Sequence, residues 1–205
     1  MSSPTLLLLP GLASDAALWR DQHAVLQARS GLTVCVSDAH ARCATLPEMA
    51  ALLLAENPGP LILVGTSMGG ILALELWRQG PQRVQAMALL GSSARPDTPE
   101  LIALRTQACE LFAAGRMGEV LRANLAFAFH PDSLAGQPAL LTDYLAMMDR
   151  AGADQLIRQN RAIMARPDSR PLLPGIHCPT LVVCGDSDQL TPPEASRELA
   201  AGIPG

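Results

Sequence analysis

The sequence contains no lysine, and all fifteen of its basic residues are arginine. A phosphate-binding P-loop needs a lysine after its second glycine, and Schiff-base catalysis needs a lysine amine. The net charge of −4 at pH 7 also leaves no basic surface of the kind that binds nucleic acid. We therefore expect neither of these chemistries and no nucleic-acid partner.

Long apolar runs are also missing, since no window approaches the roughly 18 consecutive apolar residues of a membrane span. The run Leu6–Leu9 follows no basic segment and ends at Pro10-Gly11, so we do not expect it to be a signal peptide. The five cysteines are odd in number and lack metal-site spacing, which is typical of reduced thiols. We expect a cytoplasmic protein with no membrane partner, and nothing in these residues implies a metal or organic cofactor.

The 205 residues, 49% hydrophobic and 17% charged, suit one domain with a large core, with room for an inserted subdomain. The stretch from Leu61 to Leu76 organises the chain. Four apolar residues predict a buried strand, Ile71 to Leu76 predicts a helix, and Gly65-Thr66-Ser67-Met68-Gly69 lies between them. A serine at such a strand-to-helix turn is strained, and glycines two residues to either side remove side chains that would collide. The Met68 amide would then lie at a helix N-terminus, which favours a developing negative charge.

This Gly-x-Ser-x-Gly pattern between strand and helix resembles the nucleophile elbow of the α/β-hydrolase family. The alternative is an ordinary glycine-rich turn. The resemblance implies that Ser67 is a nucleophile and that the amides of Met68 and Leu12 form an oxyanion hole. Leu12 follows the first predicted strand, where the family often has His-Gly and this chain has Pro10-Gly11. Because the donor is a backbone amide, that departure matters little, although an ordinary turn is again the alternative.

Strands and helices alternate with short links along most of the chain, which predicts an α/β fold with a mostly parallel sheet. The other predicted strands are Thr5–Leu9, Leu32–Val36, Val84–Leu90 and Thr180–Cys184. The alternation stops in residues 97–166, where only helical periodicity is found, over Pro99–Ala114, Met117–Phe129, Pro138–Ala151 and Ala153–Ala165. This excursion resembles the cap of α/β-hydrolases, with a core domain formed by residues 1–96 and 167–205.

The cap segment carries most of the aromatic residues and several methionines: Phe127, Phe129, Tyr144, Met147, Met148 and Met164. Such residues could line an acyl-binding pocket, and we assign Phe127 to substrate binding. The alternative is that each of them packs inside the cap's own core.

An acid that orients a catalytic histidine is expected after the last predicted strand, in Gly185-Asp186-Ser187-Asp188. The family pattern resembles Gly-x-x-Asp followed by proline, which assigns the acid to Asp188. Asp186 is the first alternative, more typical of a turn residue. Asp97, after the preceding strand, is the second.

No histidine follows Asp188, although family members carry nucleophile, acid and histidine in that order. His177 precedes the last strand and so should lie at the opposite sheet edge, and His23 lies among polar residues of a helix. His40 follows the second strand and His130 ends a cap helix, but no pattern directs either ring at Ser67. Two explanations stand: the histidine lies beyond Gly205, or the chain is a complete, non-catalytic binding protein of this fold.

By resemblance, the expected activity is hydrolysis of a small ester, lactone or thioester, as in small cytosolic carboxylesterases and enol-lactonases. Acyl transfer and cofactor-free peroxidation use the same scaffold and stay open. The substrate, the pathway and the oligomeric state are not indicated by any pattern in the sequence.

Overall fold

A computed structural model describes residues 3–204 of the chain. In this range the sheet has five strands: β1 (Thr5–Leu9), β2 (Thr33–Val36), β3 (Leu61–Thr66), β4 (Val84–Leu90) and β5 (Thr180–Val183). Their order is β2-β1-β3-β4-β5, and every neighbouring pair is parallel. The predicted α/β class with a mostly parallel sheet is confirmed.

Helices connect the strands. The α-helices in the described range are α1 (Arg20–Ser30), α2 (Ala39–Arg42), α3 (Leu46–Glu56), α4 (Met68–Gln79), α5 (Pro99–Ala113), α6 (Met117–Ala128), α7 (Pro131–Gly136), α8 (Pro138–Met164) and α9 (Pro193–Gly202). Short 3₁₀ helices span Ala16–Trp19, Pro81–Arg83 and Arg170–Gly175. Within residues 3–204, none of these helices combines the length and the apolar character that crossing a bilayer would need.

Strand β1 shows how the sheet is buried on both faces. Its side chains alternate, so that Leu7 and Leu9 join one apolar cluster and Leu6 and Leu8 join another on the opposite face. The first cluster includes α3 and α4, and the second includes Trp19. A sheet covered on both faces explains why its strands read as apolar runs rather than as an alternating pattern.

The segment between β4 and β5, residues 97–166, is the helical insertion, which contains α5 to α8. Four helices were predicted, and two differences are found. A short α7 begins where His130 caps the chain before Pro131. The two helices expected around Gly152 form one element, α8, which bends at Gly152 because that residue is non-helical (φ 73°, ψ 169°).

A buried ion cluster joins the two ends of the insertion. The Asp97 carboxylate, whose side chain is 1% exposed, accepts a hydrogen bond from Arg105 of α5 at 2.7 Å. Arg166, just after α8, approaches the other carboxylate oxygen at 2.9 Å, out of line for a hydrogen bond but close enough for ion pairing. Burial lowers the pKa of the Arg166 guanidinium. Asp97 is therefore engaged in holding both ends of the insertion.

Candidate active site

Ser67 stands at the turn between β3 and α4, at the carboxyl end of the central strand. Its backbone is in the left-handed region (φ 51°, ψ −115°), which costs a non-glycine residue of order 1–3 kcal/mol. The Ser67 amide donates to the Leu90 carbonyl at 2.9 Å, which fixes the turn against the end of β4. The residue is exposed although Met68 beside it is fully buried. The turn thus presents the Ser67 side chain to solvent from a rigid support.

The glycines on either side of Ser67 allow this turn to form. A side chain on Gly65 would overlap the Gly69 carbonyl, and one on Gly69 would overlap the Leu9 carbonyl at the end of β1. The predicted steric reason for this glycine spacing is confirmed. A third glycine, Gly70, was not singled out from the sequence; a side chain there would overlap the Ser92 hydroxyl.

Two backbone segments lie next to Ser67, the start of α4 and the loop after β1. Met68 is the first residue of α4, and Gly11 lies close enough to Ser67 that a side chain on it would meet the serine Cβ at 3.6 Å. Leu12, the next residue, is half-buried. Neither the Leu12 nor the Met68 amide donates a hydrogen bond to another residue in 3–204, and the predicted role of both as oxyanion donors stays a prediction.

Asp188 follows β5, at the same sheet edge as Ser67. Its Oδ1 accepts hydrogen bonds from the amides of Leu190 (3.0 Å) and Thr191 (2.8 Å). Its Oδ2 faces Gly91, where a side chain would come within 3.1 Å of it, and Gly91 has φ 51°. One carboxylate oxygen thus shapes the turn while the other faces the loop that leaves β4.

The alternative acids have other surroundings. Asp186 is exposed and accepts a hydrogen bond from the neighbouring Ser187 hydroxyl, which suits a turn residue. Asp97 lies in the ion cluster described above. Of the three carboxylates, Asp188 is the half-buried one with an oxygen facing the β4 loop.

The four histidines make no hydrogen bond to Ser67. His23 contacts the Val34 carbonyl at 3.3 Å, and the exposed His130 accepts from the Asp132 amide as the cap of α7. His177 is exposed and precedes β5, at the opposite edge from Ser67. His40 is buried, donates from Nε2 to the Ser14 carbonyl at 2.7 Å, and has a pKa lowered by its burial.

In the helical insertion, most of the aromatic and methionine side chains pack together, whereas Phe127 is exposed. Met147 and Met148 are buried, and Tyr144 packs against them in a cluster that also holds Ala13 of the loop after β1. The rings of Phe129 and Tyr144 are nearly perpendicular, with their centroids 5.0 Å apart. Phe127 is 52% exposed on α6, a helix that packs on α5, α7 and α8. The contacts of α6 are thus with other helices of the insertion, and the role of Phe127 in substrate binding stays a prediction.

Two residues beside this site, Ser92 and Gln159, were not predicted from the sequence to belong to it. The Ser92 hydroxyl donates to the Ser67 carbonyl, and the Gln159 side chain contacts Ala13 and His40. A lone serine or glutamine carries no local pattern that would have marked either one. Within residues 3–204 no group of three or more histidine, cysteine or acidic side chains is arranged to hold a metal ion.

Comparison with known proteins identifies the fold to which this strand-to-helix turn belongs. A family model described as "alpha/beta hydrolase fold" matches residues 4–205. A Serratia proteamaculans protein provisionally named carbamate hydrolase RutD is 28% identical over 215 residues, which cover 98% of this chain and 80% of that protein.

Two solved structures share the fold at 26% identity. A thermophilic esterase from Thermogutta terrifontis superposes with a TM-score of 0.86, covering 99% of this chain and 79% of its own. The enol-lactonase from Burkholderia xenovorans LB400 also gives a TM-score of 0.86, covering 100% of this chain and 81% of its own. The chain belongs to the α/β-hydrolase fold family and is a hydrolase of the α/β type.

Proposed function

We propose that this hydrolase cleaves carboxylic esters, lactones or thioesters of small acyl groups through an acyl-enzyme on Ser67. The observation that carries the proposal is the exposed, backbone-strained Ser67 at the start of α4 and next to the loop after β1, with the Met68 and Leu12 amides of these segments making no hydrogen bond among residues 3–204. An esterase and an enol-lactonase among its structural relatives support the substrate class.

The proposed reaction begins with attack of Ser67 Oγ on the acyl carbon. The carbonyl oxygen becomes an oxyanion, which the amides of Leu12 and Met68 bind, aided by the positive end of the α4 dipole. Collapse of the tetrahedral intermediate expels the alcohol or thiol and leaves an ester on Ser67. Water then hydrolyses that ester to release the acid and regenerate the serine.

Asp188 is proposed to orient the imidazole that takes the Ser67 proton, through the Oδ2 that faces the β4 loop. None of the four histidines is assigned as that base, because three of them make their contacts elsewhere and His177 precedes β5 at the opposite sheet edge. The helical insertion is proposed to act as a cap, with the core domain formed by residues 1–96 and 167–205. No cofactor or metal takes part in this scheme, and the five free thiols favour a cytoplasmic location.

The test measures hydrolysis of p-nitrophenyl butyrate by the purified chain and its Ser67→Ala variant, with and without added imidazole. Imidazole is included because it can supply a base to the serine, and the Ser67→Ala reaction corrects for its own catalysis. Ser30→Ala, at the exposed end of α1, is the matched control for loss of a serine hydroxyl. Intact mass and peptide mapping locate any acyl adduct.

In imidazole buffer we expect hydrolysis that is lost in Ser67→Ala, is retained in Ser30→Ala, and is accompanied by an adduct on Ser67; without imidazole, turnover should be slow. Dependence on imidazole would mean that the nucleophile is competent and its base lies outside the assayed chain. Equal rates for wild type and Ser67→Ala, with no adduct in either buffer, would refute the proposal and favour a binding protein of this fold.

A further inference from the structure

The loop after β1 has a second strained residue. Ala13 has φ 55°. Within the described range, Ala13 and Ser67 are the two non-glycine residues in the left-handed region. Its amide donates a hydrogen bond to Gln159 Oε1 at 2.7 Å, across 146 positions of sequence. Gln159 belongs to α8 of the helical insertion and is completely buried.

The Gln159 side chain uses both of its polar atoms. While Oε1 accepts from Ala13, Nε2 donates to the His40 carbonyl at 3.0 Å. Its two partners follow β1 and β2, two neighbouring strands at the carboxyl edge of the sheet. A buried amide with both ends bonded has one orientation, so it holds these two segments at a fixed separation.

This hydrogen bond limits the direction of the Leu12 amide. The Gly11 carbonyl accepts from the Ser14 amide at 3.2 Å, and in a planar trans peptide the Leu12 N–H points away from that carbonyl. On the other side of Leu12, the peptide to Ala13 is held by Gln159. With the peptide planes on both sides fixed, rotation about the Leu12 backbone is restricted, and the Leu12 amide keeps one direction in the loop that passes Ser67.

Two further contacts hold the same loop. His40 Nε2 donates to the Ser14 carbonyl at 2.7 Å, and Arg150 of α8 pairs with Asp15 at 2.8 Å. The Arg150 pair is about half exposed, so it is weak. Gln159 differs from both because it binds the strained residue itself from a water-free position.

We propose that Gln159 is a positioning residue that keeps the Leu12 amide aimed at the oxyanion and so couples the helical insertion to catalysis. The inference rests on the proposed function in assigning an oxyanion to that amide. Gln159 touches neither substrate nor reacting atoms. Its effect passes through Ala13, whose left-handed backbone would relax toward common conformations without this bond.

The test compares Gln159→Met, which keeps the length of the side chain and loses both hydrogen bonds, with Asn160→Leu. Asn160 is the adjacent buried polar residue of α8, and its partners are Arg105 and the Leu156 carbonyl rather than the loop. For each variant, kcat and KM for p-nitrophenyl butyrate are measured separately, with the melting temperature and hydrogen exchange at the Leu12 and Ala13 amides.

We expect kcat of Gln159→Met to fall about ten- to a hundredfold with little change in KM, since a misplaced oxyanion donor costs transition-state binding. Exchange at Ala13 should accelerate. Asn160→Leu should lower the melting temperature while kcat and Ala13 exchange stay at wild-type values. Unchanged kcat in Gln159→Met, with Ala13 protection lost, would overturn the inference and leave Gln159 a structural residue.

A second variant covers the case in which Gln159→Met does not fold. In Gln159→Glu the protonated carboxyl can accept from Ala13 and donate to His40, whereas the carboxylate can only accept. Its kcat relative to wild type should therefore rise as the pH falls, and a pH-independent ratio would contradict the inference. If wild type shows no Ser67-dependent turnover and no Ser67 adduct even with imidazole, the proposed function fails. In that case, hydrogen exchange at the Ala13 amide tests only whether Gln159 holds the loop. Unchanged protection of that amide in Gln159→Met would show that it does not.

Discussion

The Ser92 hydroxyl donates a hydrogen bond to the carbonyl oxygen of Ser67 at 2.9 Å, from a position that is 1% exposed. The same carbonyl accepts from the amides of Gly70 and Ile71 in the first turn of α4. Ser92 thus braces the strained turn from the loop after β4, and Gly70 provides the space that its hydroxyl occupies.

Replacing Ser92 by alanine should lower the free energy of unfolding by about 1 kcal/mol. The loss is moderate because the Ser67 carbonyl keeps its two backbone donors. The measurement is urea denaturation followed by circular dichroism. Ser196→Ala is the control: its hydroxyl is buried in α9 without a hydrogen-bond partner in the described range, so its removal should be neutral or stabilising. Equal losses in the two variants would contradict the bracing role.

Gly69→Ala should destabilise the protein by about 3 kcal/mol or more, because the added methyl group overlaps the Leu9 carbonyl and backbone must shift to admit it. The expected result is a large drop in the midpoint of thermal unfolding. Gly118→Ala in α6 is the matched control, since the nearest atoms there belong to the flexible guanidinium of Arg122. That change should be neutral or stabilise by up to about 1 kcal/mol. Comparable losses would mean that the close approach of α4 to β1 is not rigid.

Asp97→Asn should cost about 3–5 kcal/mol of stability, because it leaves the buried Arg166 without its ion-pair partner. Denaturant titration measures the loss. Asp168→Asn removes the partner of Arg170 at the surface, where both side chains are more than a third exposed, and should cost much less. If the two substitutions had similar effects, the cluster would not anchor the helical insertion.

Stability should decrease as the pH falls from about 7 toward 5, because burial lowers the pKa of His40 from its ordinary value of 6.5. The unfolded chain then binds the proton first, so the stabilising contribution is present above the unfolded pKa and is lost on acidification. The nearby carboxylates Asp15 and Asp38 oppose this shift without reversing it. The measurement is the unfolding free energy at several pH values.

The matched pair for this pH effect is His40→Gln and His130→Gln. His130 is exposed, and its replacement should keep the wild-type dependence. His40→Gln should flatten the curve between pH 7 and 5 while leaving the loss below about pH 4, which belongs to carboxylates such as that of Asp168, whose pKa is lowered to about 2 by Arg170. An unaltered curve would show that His40 is not buried as a neutral ring.

Most of the fold could be predicted because the sequence patterns that mark strands, helices and turns are local. The bounds of β1 and β4 agree with prediction at both ends, since each is an apolar run between turn residues. The glycine spacing around Ser67 predicted the turn for a steric reason that the structure confirms. The Ala13–Gln159 contact could not be predicted, because neither residue belongs to a pattern and only the packing of α8 on the sheet edge brings them together.

The two strained residues, Ala13 and Ser67, lie at one end of the sheet, and within the described range other left-handed positions are glycines. Backbone strain at a functional site lowers the stability of the fold while it holds the geometry that activity needs. A search for thermostable variants would find Ala13→Gly attractive, because glycine adopts this conformation without steric cost. Such a variant would loosen the loop beside Ser67, so gains in melting temperature made at this end of the sheet are the ones most apt to reduce turnover.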